Sequence, residues 1–136
     1  MSTTDHSADN VLLLRVGCIT LLIALVLAWC LVLSGMEIQF VLDIFKSKKA
    51  LLSAHLDFLM MTMLLVAIYA TRIPLPMYVQ WPTAIGSVTN PTCFLLESIF
   101  PEYDAPLMLE FVYASIVIAT IGYGLAAIKL FRATMK

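Results

Sequence analysis

The stretch "LLSAHLDFLMMTMLLVAIYA", residues 51 to 70, decides how the chain is read. Its length matches the roughly 20 apolar residues that a helix needs to cross a bilayer. Yet it carries a histidine, His55, and an aspartate, Asp57, near its start. Ionisable groups inside hydrocarbon are costly, so they are rare there and by default mark a functional site. The chain has two histidines, and the other, His6, lies in a polar segment, which leaves His55 as the single imidazole of the apolar part.

The rest of the chain supports a membrane setting. At 62% apolar and 12% charged residues, the 136-residue chain falls in the membrane class. A net charge of −1 gives no basic patch, which argues against nucleic acid binding. The expected fold is all-α, an integral membrane four-helix bundle, with spans at about 11–33, 51–73, 77–100 and 105–131. Residues 1–10 read as a short exposed polar tail and 132–136 as a C-terminal tail. The opening "MSTTDHSADN" lacks the basic start of a signal peptide, so the first apolar run is expected to be retained.

Between the first two spans lies "SGMEIQFVLDIFKSKKA", residues 34 to 50, too short and too charged to cross. Ile38, Val41, Leu42 and Phe45 fall at helical spacing, as in an amphipathic segment along the interface. The third span holds Pro82, Gly86, Asn90, Pro91 and Glu97. Pro91 frees the Ser87 carbonyl, which neighbouring groups must satisfy. The fourth carries small residues at Ala114, Ser115, Ala119, Gly122, Gly124 and Ala126, which permit close helix approach. Cys18, Cys30 and Cys93 lie in apolar runs without ligand spacing and read as packing residues. Arg15, Arg72, Lys129, Arg132 and Lys136 fall on the side of the termini, against Lys46, Lys48 and Lys49 on the other. This bias favours cytoplasmic termini, and the expected location is a bacterial inner membrane.

Depth gathers the polar groups. His55 and Glu97 each lie about one turn from the same end of their spans, Glu110 about one turn into the fourth, and Asn90 near mid-depth. Asn90, Phe94 and Glu97 share one helix face, as do His55, Phe58, Leu59 and Thr62 on another. Asp57 lies about 200° around the helix from His55, so the two point apart. A single histidine with no second ligand at suitable spacing does not make a protein-only metal cage. It does suffice to hold a haem iron, and the apolar and aromatic surroundings suit a porphyrin. Met60, Met61 and Met63 read as adaptable packing.

These residues resemble the styrene oxide isomerases, small four-span membrane proteins. "SAHLDFL" is similar to the family's Ala-His segment, and "TNPTCFLLESIFPE" to its asparagine segment, with Pro101 eleven residues after Asn90. The resemblance covers most of residues 11 to 130 as scattered matches. It implies a homotrimer with haem b between subunits, His55 as iron ligand, and Phe58, Leu59 and Phe94 around the cofactor. Asn90 and Glu97 would line the substrate side. Ferric iron would act as a Lewis acid that turns a small apolar epoxide from the membrane into a carbonyl compound. Two positions depart from the family: Met61 stands where it has an asparagine, and Phe94 where it has a tyrosine. Two alternatives stay open, a haem-bearing electron-transfer or sensor module and a haem-free oligomeric transport or assembly subunit. In the latter, His55, Asp57, Glu97 and Glu110 would form a relay.

Overall fold

The computed structural model describes residues 10–102 and 106–135. His6 and the rest of residues 1–9 lie outside the described residues. Five helices run in order: α1 (Val11–Gly35), α2 (Gln39–Ile44), α3 (Lys48–Ala70), α4 (Met77–Ile99) and α5 (Pro106–Thr134), with no strand among the described residues. α1, α3 and α5 are long and apolar enough to cross a membrane, which marks an integral membrane protein. α4 is as long as α3, at 23 residues, but its prolines and polar side chains keep it outside that class by composition.

The helix limits follow from local chemistry. Ser47 caps α3, its hydroxyl accepting from the Ala50 N–H at 3.2 Å, so Lys48 and Lys49 lie inside the helix rather than before it. Removing an N-cap oxygen leaves an unmet backbone N–H, so Ser47→Ala is expected to cost about 1 kcal/mol, read as a lower melting temperature in detergent. α3 stops at Ala70, short of the expected 73, and the chain crosses to α4 through Arg72, Pro74 and Pro76. α5 runs through Thr134, so the residues expected as a C-terminal tail are in large part helix. α2 is a single short helix in which Val41 is buried and Ile38, just before it, is exposed.

α1 packs on α3, α3 on α4 and α4 on α5. Two apolar clusters form. One joins Leu13, Leu65, Ile68, Val79 and Ala126 near the ends of the helices where α1 begins. The other joins Ala24, Leu27, Leu51, Ala54 and Phe58 toward the other end. Outward faces stay apolar, with Met63 74% and Trp29 68% exposed, a surface suited to lipid rather than water.

Asn10 was expected in an exposed tail, but it is fully buried. Its side chain donates to the Ile73 carbonyl at 2.8 Å and accepts from the Leu75 N–H at 3.0 Å. An asparagine can bond backbone groups with both ends of its amide, so it pins the start of α1 to the α3–α4 connection. At the same end, Lys129 of α5 sits 5.9 Å from the centre of the Tyr78 ring of α4.

α4 continues through both Pro82 and Pro91. Hydroxyls and a thiol bond back to carbonyls one turn earlier: Thr83 to Val79 at 2.7 Å, Ser87 to Thr83 at 2.6 Å, Thr92 to Val88 at 2.6 Å and Cys93 to Thr89 at 3.3 Å. Such local bonds supply polar contacts along a helix whose ladder the prolines interrupt.

Candidate functional site

A belt of polar side-chain pairs links neighbouring helices. Thr20 of α1 and Thr62 of α3 place their hydroxyls 2.8 Å apart. Asn90 of α4 donates from Nδ2 to Oδ2 of Asp57 on α3 at 2.7 Å. Ser115 of α5 donates to Thr89 of α4 at 2.9 Å, and Ser87 and Tyr123 share a hydrogen bond at 2.6 Å. Each bond joins two helices, so the belt crosses all four long helices. Asp57 is 8% exposed, which makes it the buried carboxyl group of the described residues. A buried polar group is costly unless bonded, and Asn90 supplies the bond.

His55 and Asp57 do point apart. The His55 ring turns to α1, with Nδ1 2.8 Å from the Ala24 carbonyl oxygen. A carbonyl can only accept, so Nδ1 is the donor, and Nε2 is the ring nitrogen left for any other partner. His55 is half-buried at the edge of the α1–α3 pair, with exposed Leu52 and Leu56 beside it. Phe58, expected beside it around a cofactor, is fully buried in the core, and Leu59 is partly buried against the same cluster.

Asn90, Phe94 and Glu97 come together as their shared face suggests. They line a half-open cavity of about 330 Å³ between α4 and α5, together with Met108, Leu109, Val112 and Ile116. Glu110 lines a separate apolar groove with Leu96, Leu107 and Phe111. His55 belongs to neither cavity. Within one chain, therefore, His55 and the Asn90–Glu97 pair face different ways. Met61, where the resemblance would have an asparagine, is buried, 6% exposed. No group of three or more histidine, cysteine or acidic side chains is placed to hold a metal ion among the described residues.

No protein-family model, curated protein or solved structure matches the chain. The site must therefore be read from its own chemistry. Sequence reasoning singled out Asp57 and Asn90 separately and did not join them. The signal was present in part, because Asp57 points away from His55 around the helix. The hydroxyl contacts of Thr20, Ser87, Thr89 and Ser115 were missed. Their signal is weaker, since serine and threonine are common in apolar helices and bond their own backbone.

Proposed function

We propose that the protein is a four-span integral membrane protein that holds haem b through His55, of the styrene oxide isomerase type. The observation that carries this reading is the His55–Ala24 hydrogen bond. Histidines that ligate metal generally donate their other N–H to a carbonyl or carboxylate, which fixes the ring and its tautomer. Here Nδ1 is held at 2.8 Å and Nε2 makes no hydrogen bond among the described residues. The donor set thus fits a single imidazole that would hold a haem iron.

α4 is the fourth span in this reading. Its polar residues turn inward, with Gln80, Thr83, Ser87 and Ser98 buried, while Trp81 and Ile85 face outward. The opposed directions of His55 and the Asn90–Glu97 cavity favour a site built between subunits, as in a homotrimer. When bound, ferric haem would supply a Lewis-acidic iron for opening a small apolar epoxide to a carbonyl compound with no net redox change. The chain's own part is positional. Ala24 fixes the imidazole, Asp57 fixes the Asn90 amide, and Phe94, Val112 and Ile116 give an apolar wall to the cavity that Asn90 and Glu97 line. Both termini are assigned to the cytoplasmic side of a bacterial inner membrane by the charge bias.

Protein purified in detergent from haem-supplemented cells is expected to show a Soret band, and His55→Ala to lose it while keeping its helical circular dichroism. A colourless wild-type preparation would falsify the assignment. A haem-free transport subunit is the second reading, and the Asp57–Asn90 pair favours it, because a buried carboxyl inside a membrane protein often marks a relay. Proton flux in liposomes that depends on Asp57, from protein without a Soret band, would select it.

A further inference from the structure

We infer that the cavity between α4 and α5 binds a small amphiphile with a protonated amine head. The inference goes beyond haem binding and does not depend on it. Its polar lining is rich in acceptors. Glu97 lines the wall, and Asn90, beside it, carries Asp57 behind its amide. Neither Glu97 nor Asp57 makes an ion pair among the described residues, and Asp57 is 8% exposed with Asn90 as its one bonded neighbour there. The cation nearest in the lining is Lys46, in an adjoining pocket that shares Phe100 and Pro101 with this cavity and holds Glu102 beside it.

Glu97 is the carboxyl group in the wall, and Asp57 stands behind Asn90 and takes up its amide N–H, so the polar part of the wall offers the Glu97 carboxylate and the Asn90 oxygen and calls for a positively charged donor. The rest of the wall is apolar, from Phe94, Met108, Leu109, Val112 and Ile116. A cavity of about 330 Å³ lies at the small end of the range for ligand sites. An apolar body with an ammonium group meets both features: the body against the apolar wall and the N–H donors toward Glu97 and the Asn90 oxygen. An epoxide has no donor and would leave these acceptors unmet, so the amine takes the place of the epoxide in the reading above and leaves its haem part untouched. A ring of Phe94 lies in the same wall and can add a cation–π contact.

The test compares 2-phenylethylamine, 2-phenylethanol and styrene oxide as probes of the full chain in nanodiscs, by calorimetry against empty nanodiscs. The amine is expected to bind at least about tenfold more tightly than either neutral probe, the factor that one charge-assisted hydrogen bond supplies. Glu97→Gln, at an exposed position outside the core, should weaken it by about tenfold, and Asp57→Asn, which keeps a partner for Asn90, should weaken it as well. Equal binding of the neutral alcohol, or amine binding unchanged in Glu97→Gln, would overturn the proposal. His55→Ala separates it from haem binding. Amine affinity that survives this variant supports the cavity whether or not a Soret band exists. Affinity lost with His55 alone places the amine at the haem and removes the proposal while leaving the haem reading intact.

Discussion

Gly122→Ala is expected to destabilise the protein by about 3 kcal/mol, toward the upper end of the usual cost of overpacking a core. A Cβ at Gly122 would collide with the backbone of Pro82 and Thr83 on α4. Gly86 faces the same contact from the other helix, where a Cβ would come 2.5 Å from the Cα of Ala119. The obstacles are main-chain atoms rather than the ends of flexible side chains, so the only relief is to separate α4 from α5. For a chain of this size the loss should lower the melting temperature by roughly 6–12 °C. Gly86→Ala should behave alike. Gly124→Ala is the control: nothing lies within 4 Å of its Cβ, and alanine is the better helix former. It should leave stability unchanged or raise it by up to about 1 kcal/mol. Thermal unfolding in one detergent measures all three. Similar losses at Gly122 and Gly124 would show that close approach is not what glycine provides here.

That contrast also marks how far the sequence could be read. The stripe Ser115, Ala119, Gly122 and Ala126 follows helical spacing, and in the structure Ser115, Gly122 and Ala126 are buried. Gly124 looked equivalent by composition, but it lies two residues from Gly122 and so on another face. Helix positions were legible to within about three residues because continuous apolar length dominates that signal. The errors fall where short-range chemistry sets the boundary. Ser47 brings two lysines into α3, and a buried Asn10 closes the start of α1 against Ile73 and Leu75. Asn10 could not be read as buried from its neighbours, since its two partners are more than sixty residues away in the chain. The candidate site shows the same division. The face shared by Asn90, Phe94 and Glu97 was legible from periodicity and does line one cavity. Which neighbour each polar group meets depends on how α3 is rotated against α1 and α4, and periodicity within one helix does not contain that rotation.

The largest non-additive effect is expected at Asp57 and Asn90. Asn90→Leu removes the donor that meets the buried Asp57 carboxyl at 2.7 Å. The leucine matches asparagine roughly in size, so the loss is mainly polar. Deleting one partner of a buried polar pair leaves the other unsatisfied, which costs about 1–3 kcal/mol for neutral groups and about 3–5 kcal/mol where a charge is stranded. Asn90→Leu should therefore lower stability by at least about 2 kcal/mol. Asp57→Leu alone strands the neutral amide and should cost less. The double variant strands neither group, and replacing both partners of a buried pair by apolar residues is often close to neutral. It should recover to within about 1 kcal/mol of wild type, giving a coupling energy of about 1–3 kcal/mol. Membrane hydrogen bonds measured this way are usually weaker, averaging about 0.6 kcal/mol, because the unfolded helices find other partners in the bilayer. A value near that average would mean that Asp57 is not isolated from water or other donors, and that the belt serves packing alone. A value well above it, with stability restored in the double variant, would mean that the chain keeps a costly buried carboxyl that an apolar pair could replace. Stability then cannot be the reason for keeping it, and its reason must lie in what Asp57 does to Asn90 and the cavity that Asn90 lines.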